Sequence, residues 1–187
     1  MPILKPIAGH SGTTSTIKAY LEKNGRALAR DFFNLSWDEL RKEGLDEADK
    51  ALVPWDEEMD ATRHAYGNDT PWHGKQARTF KHFILSPDPD DRIDLGSLRE
   101  LAYAWALRYF PEHEIAIAYH DDNKSGIPHA HIVVNNTNLV TGRRMHTEHP
   151  EDLNRALQDM ARERGLSGLS NTYEPRCELR PLDLLAV

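Results

Sequence analysis

Residues 119–136 read YHDDNKSGIPHAHIVVNN, and the way this stretch folds decides the rest of the chain. The runs EIAIAYH (114–120) and HAHIVVN (129–135) are largely apolar and of strand length, and the connection DDNKSGIP is short and polar, which predicts an antiparallel hairpin. Side chains alternate faces along a strand, so His129 and His131 project from one face. His120, ending the preceding strand, falls opposite that pair and brings three imidazoles to one point above the sheet. Ala116 and Ala118 share its face and leave room beside it. Three imidazoles with open positions suit a catalytic divalent metal acting as a Lewis acid, because structural sites are closed by four ligands. Asp121 and Asp122 adjoin His120, and one of them is placed to accept a hydrogen bond from a ligand histidine's far nitrogen, although spacing does not separate the two. The remaining histidines, His10, His64, His73, His82, His113, His146 and His149, are expected at the surface or in packing.

Working outward, Arg78–Ser86 (RTFKHFILS) alternates and predicts a strand ended by Pro87 and Pro89. Pro2 to Ile7 predicts a short edge strand, since Pro2 and Pro6 cannot donate to a ladder on both sides. A helix capped by Ser15 or Thr16 carries Ile17, Tyr20 and Leu21 on one face and stops at Asn24-Gly25. Ser97-x-x-Glu100 has the form of a capping box opening a helix with Leu98, Leu101, Trp105 and Tyr109 as its apolar stripe. A last helix starts at Pro150 and runs through Leu153, Leu157 and Met160 to Gly165. The segment from Trp37 to Thr70 is acidic, with one short helix around Glu57 to Ala65, and is expected to cover the sheet. The fold class is α+β: a central antiparallel sheet with helices packed on it. A single domain over 1–187 is expected, with an acidic insertion over 38–75.

Cys177 is the sole cysteine, which excludes an intrachain disulfide and any CxxC centre and fits a reducing, cytoplasmic setting. No apolar run reaches the length of a membrane span or a signal peptide. The net charge of −7 speaks against nucleic-acid binding until its distribution is considered. Residues 1–30 hold Lys5, Lys18, Lys23, Arg26 and Arg30 against Glu22, whereas 38–60 hold ten acids against Arg41, Lys42 and Lys50. A local cationic face beside an acidic segment is compatible with DNA.

The block His120-x-Asp122 followed by Pro128-His129-Ala130-His131-Ile132-Val133-Val134-Asn135, with the strand KHFILSPDP and the early KAYLEKNGR, resembles the relaxase/mobilisation nuclease group within the HUH endonucleases over roughly residues 3–170. The resemblance implies a relaxase-like sheet with the histidines on its exposed face. It implies site- and strand-specific nicking and strand transfer at a plasmid origin of transfer, through a covalent 5′-phosphotyrosine. On it, Tyr20 matches the nucleophile, His120, His129 and His131 the metal ligands, and Asp122 the acidic partner of the cluster. DNA contacts are expected from Lys18, Lys23 and Arg26 near Tyr20, from Ser86 after the middle strand, and from Asn135. Magnesium or manganese is the implied working ion, while imidazole affinities allow zinc or nickel to occupy such a site. The implied partners are single-stranded or supercoiled plasmid DNA at the origin and accessory relaxosome proteins. Members of the group commonly carry helicase, primase or oligomerisation regions as well, and none is expected within these 187 residues.

Three other readings compete. A replication initiator shares the histidine cluster but places its tyrosine after it, where only Tyr173 stands, in surroundings that carry no such motif. A non-catalytic nucleic-acid-binding module would keep the fold without needing convergent histidines. A histidine-triad nucleotide hydrolase needs a third alternate histidine where Val133 stands.

Overall fold

A computed structural model describes residues 2–7, 12–36, 45–71, 73–124, 126–147 and 149–167. The expectations for Gly9, His10, Trp37, Tyr173 and Cys177 lie outside the described residues. The elements run β1 (Ile3–Ile7), α1 (Ser15–Glu22), β2 (Ala29–Phe33), α2 (Glu47–Ala51), α3 (Trp55–Ala65), β3 (Phe80–Ser86), α4 (Leu95–Tyr109), β4 (His113–His120), β5 (His129–Asn138) and α5 (Pro150–Glu163). The five strands form one antiparallel sheet in the order β1-β3-β5-β4-β2, with β1 at an edge as its prolines require. Among the described residues no helix is long and apolar enough to cross a membrane.

The β4–β5 hairpin forms as expected, with His120 opposite His129 and Ala118 opposite His131. Asn123 closes the connection: its side-chain amide accepts from Ile127 N at 3.0 Å and donates to Ile127 O at 2.5 Å. Alternation then sorts the hairpin's side chains. One face carries Ile115, Ile117, Tyr119, Ala130, Ile132 and Val134 into a core with Leu98, Leu101 and Trp105 of α4 and Leu153, Leu157 and Met160 of α5. On the other face Ala116, Ala118 and Val133 pack with Ile17 and Leu21 of α1 and Trp55 and Met59 of α3. The acidic segment thus covers the sheet through the apolar side of α3.

Three expectations need correction. The strand β2 has no counterpart in the sequence reading, because Arg30 and Asp31 interrupt ARDFF. Both charges are matched in the fold: Arg30 Nε donates to Glu22 at 2.7 Å, and Asp31 accepts from Arg99 Nε at 3.0 Å and Tyr119 Oη at 2.9 Å. The helix α4 starts ahead of the proposed capping box, since Asp94 is the cap and accepts from Ser97 N at 2.7 Å. Likewise α1 is entered from Thr14, whose hydroxyl and amide both donate to Asp60 of α3, at 2.5 and 3.0 Å.

Trp105 is fully buried and stacks edge-on against Phe83 and Phe110, with its indole N–H donating to Leu153 O at 3.0 Å. Trp105→Ala is expected to cost about 3–5 kcal/mol in urea unfolding, whereas Arg108→Ala on the exposed side of the same helix stays within about 0.5 kcal/mol. A loss below about 1 kcal/mol at Trp105 would mean that α4 and α5 do not share one core.

Candidate metal centre

The rings of His120, His129 and His131 converge over the end of the hairpin. One nitrogen from each lies within 4.8 Å of the others, and the ring centroids are 4.7 Å (His120–His131), 5.1 Å (His129–His131) and 5.7 Å (His120–His129) apart. All three are buried. Burial, aided by the Arg26 guanidinium, pushes His120 down to about 4, and burial together with the neighbouring imidazoles holds His131 well below the ordinary histidine range. A neutral imidazole is the form that a divalent ion requires of a histidine ligand, and the surroundings of His120 and His131 favour it.

Each ring has a partner on its far side. His120 Nε2 donates to Leu21 O at 3.0 Å, at the C-terminal end of α1, which leaves Nδ1 with its lone pair. His129 Nδ1 lies 3.3 Å from both Ile127 O and Asn123 Nδ2, and with its proton on Nδ1, donated to Ile127 O, Nε2 is left with its lone pair. His131 Nδ1 lies 2.9 Å from Nε2 of His82 on β3, in stacked rings 5.1 Å apart. With His131 donating to His82, its own Nε2 is the free lone pair. His82 is therefore more than a packing residue, correcting the expectation. The signal for it lay in the alternation of RTFKHFILS, which puts His82 on the same face as Ile84, the residue opposite His131.

Asp122 does not take the far-nitrogen role expected of it. The two carbonyls and His82 fill that role, and Asp122 Oδ1 instead stands 3.8 Å from Nε2 of His129, the nitrogen left free. Its other oxygen pairs with Arg26 Nη1 at 3.1 Å. Arg26 links the site: Nη2 donates to His120 Nδ1 at 3.3 Å, and the guanidinium carbon stands 4.4 Å over the ring of Tyr20. Its Nε–H is buried without an acceptor. An ion taking the His120 lone pair would replace the Arg26 hydrogen bond.

Tyr20 lies half exposed above the cluster, edge-on to His131 with ring centroids 6.2 Å apart, while its helical neighbours Ile17 and Leu21 are buried. Ser86 ends β3 on the histidine face, two residues beyond Ile84. Lys23 is exposed in the turn after α1. Two expected DNA contacts are turned elsewhere. Lys18 Nζ is engaged by Val53 O at 2.7 Å and Asp56 Oδ1 at 2.8 Å, bracing α1 against α3. Asn135 is fully buried beneath α3, where its amide donates to Met59 O at 3.1 Å and to Glu114. Alternation places Asn135 on the histidine face, but α3 closes that end of the sheet.

Removing a ligand and removing its support should separate cleanly. His131→Ala is expected to abolish Mn²⁺ binding in a calorimetric titration, and His82→Phe to weaken it about 10–100-fold without loss of fold. Unchanged affinity in His82→Phe would show that His131 is oriented by something else.

The family model described as "Relaxase: MobA/VirD2-like, nuclease domain" matches residues 36–166, well over half of the chain, with the histidines inside the match and Tyr20 ahead of it. Among solved structures the chain is similar to a MobM relaxase domain (MOBV; Mob_Pre) bound to plasmid pMV158 oriT DNA with Mn, at 13% identity and a TM-score of 0.55, covering 89% of this chain and 88% of that one. A second MobM structure, bound to a 26-nucleotide pMV158 oriT DNA, gives 13% identity and a TM-score of 0.54 over 95% and 94%. No curated protein matches in sequence. These likenesses fix the fold, and the extent of the family match fixes the membership: the chain belongs to the MobA/VirD2-like relaxase nuclease-domain family.

Proposed function

We propose that this protein nicks one strand of plasmid DNA at an origin of transfer and holds the cut end covalently on Tyr20. The observation that carries the reading is the half-exposed Tyr20 ring standing edge-on to His131, with Arg26 on its face. The DNA-bound MobM structures of the same fold support an origin of transfer as the substrate.

Three convergent imidazoles and Asp122 beside them form a donor set that fits a divalent ion, and magnesium or manganese is the working choice. Bound by His120, His129 and His131, the ion would supply Lewis-acid polarisation of the scissile phosphate. The chain's own groups do the rest. The Tyr20 phenol gives up its proton and its oxygen bonds to phosphorus, while the bond from phosphorus to the 3′-oxygen breaks and that oxygen takes up a proton. A phosphodiester is exchanged for a phosphodiester, so the 3′-hydroxyl can attack in reverse and reseal the strand. Arg26 holds the ring by its cationic face and places its charge beside the scissile phosphate. Ser86 and Lys23 lie on the approach and are proposed to position the strand.

Incubating the protein with supercoiled and single-stranded DNAs carrying candidate origins, with Mn²⁺ or with chelator, should yield a covalent adduct on a denaturing gel only when the ion is present. Tyr20→Phe is expected to reduce the adduct by at least about 10³-fold. A metal-dependent adduct that survives in Tyr20→Phe would assign the nucleophile elsewhere, and no adduct with the cognate origin would refute the nicking activity. Arg26→Gln should slow adduct formation about 10²–10³-fold while Mn²⁺ still binds, and a rate equal to wild type would remove Arg26 from the reaction.

A further inference from the structure

A second cationic feature lies away from the histidines, in a groove of about 980 Å³ between the loop 67–78 and the loop 139–147. Among the described residues its walls carry Lys75, Arg78, Lys81, Arg143, Arg144 and His146, and no Asp or Glu. This is the reverse of the chain as a whole, which has 30 acids against 23 basic residues. Elsewhere the buried and half-buried cations are matched by acids, as Arg30 is by Glu22, Lys18 by Asp56 and Arg99 by Asp31. Lys75, Arg78 and Arg143 are exposed, and among the described residues none of them has an acidic partner. Lys81 is pushed below the ordinary lysine range, first by burial and then by the neighbouring charge of Arg78.

The groove is built rather than incidental. Asn68 is buried and its amide donates to Thr137 Oγ1 and to Gly142 O, both at 3.0 Å, tying one loop to the other. Arg144 donates to Thr70 O at 2.5 Å, and Met145 N to Asn136 O at 2.7 Å. Gly142, at φ +66°, lies flat against the ring of Tyr66, where an added Cβ would come within 2.6 Å of ring carbon. Asn68 to Gly142 O and Arg144 to Thr70 O join the two loops directly, and the other contacts fix them to β5 and to the end of α3, so their cations are presented at fixed positions.

We infer that this groove binds the sugar–phosphate backbone of the DNA flanking the reaction site, holding it by charge and without reading bases. The inference rests on the DNA-nicking reading above. Asn136, on the groove wall, projects with Lys81 from the sheet face opposite the histidines and is five residues along β5 from His131, a separation of at least about 16 Å at strand rise. At about 3.4 Å per nucleotide step of a duplex strand, that spans about five nucleotides, so the phosphates held here are remote from the one being cut. Cations fixed at that distance anchor the substrate whether the scissile bond is intact or open.

The test uses the full chain with a labelled random-sequence duplex and a labelled single strand, in anisotropy titrations between about 50 and 200 mM salt without divalent ion. In the variant Lys75→Gln/Arg78→Gln/Arg143→Gln the dependence of log affinity on log salt for duplex should shallow by about 2 to 3, and low-salt affinity should fall at least about 10-fold. A control neutralising Arg108, Arg155 and Arg162 removes the same charge from α4 and α5 and should leave the slope near wild type. Equal effects of the two triple variants, an unchanged groove variant, or a wild type that binds no DNA at low salt would each overturn the inference. If the groove variant loses its slope while wild type never forms an adduct, the groove stands and the nicking reading falls. The adduct persisting beside an unchanged slope means the converse.

Discussion

Everything at the candidate site depends on one register, His120 opposite His129 in the β4–β5 hairpin. The side-chain period of a strand is two, so a slip of one residue would send His129 and His131 into the α4–α5 core and Ala130 and Ile132 to the opposite face. Such a slip would bury imidazoles among Leu98, Leu101 and Trp105 and expose Ile132, and the apolar core on one face therefore enforces the convergence on the other. The site is fixed by hydrophobic packing behind it before any ligand is considered. The Asn123 brace across the connection adds a local restraint in the same direction.

Burying three histidines is costly unless each nitrogen has a use. Here the far nitrogens are used by Leu21 O, Ile127 O and His82, so the desolvation that lowers His120 and His131 leaves neutral rings with lone pairs aimed inward. The ligand bonds in turn couple elements that are far apart in sequence. The His120 contact to Leu21 O fixes the end of α1, and with it the helix that carries Tyr20. Lys18 braced on Asp56 and Thr14 on Asp60 hold the other side of that helix to α3. Tyr20 is exposed, yet the helix beneath it is anchored at three points.

The hairpin, the three histidines, the edge strand and the last helix were legible because each rests on a local signal: alternation, strand length, proline, an apolar period. What was not legible is what depends on contacts across the sheet. The strand β2 reads as polar because Arg30 and Asp31 are matched by Glu22, Arg99 and Tyr119, residues whose proximity no local pattern reveals. Asn135 has the right alternation for the site and the wrong height, since α3 lies over it. His82 has an ordinary strand position that gains its meaning only from β3 lying beside β5. Arg26 was visible as a cation near Tyr20, while its place between Tyr20, His120 and Asp122 follows from the end of β4 lying against α1.

The excess of acids looked like the strongest argument against a nucleic-acid partner, and the structure shows why net charge is a poor guide here. Fields of exposed charges fade within about 8–10 Å at physiological salt, so a strand of DNA responds to the side chains along its path and not to the total. The acids of 45–60 are largely used inside the fold: Asp56 on Lys18, Asp60 on Thr14 and Arg63, Glu58 on Ser36 N, Asp46 as the cap of α2. Asp56 and Asp60 neutralise structural cations in this way, and Glu58 and Asp46 are held on backbone N–H groups. Among the described residues Lys75, Arg78 and Arg143 of the groove have no acidic partner, and Arg26 has one, at an exposed carboxylate. What an approaching polyanion meets is thus set by which charges the fold leaves unmatched, and among the described residues Lys75, Arg78 and Arg143 are cations left so that stand together, in the groove between the loops 67–78 and 139–147.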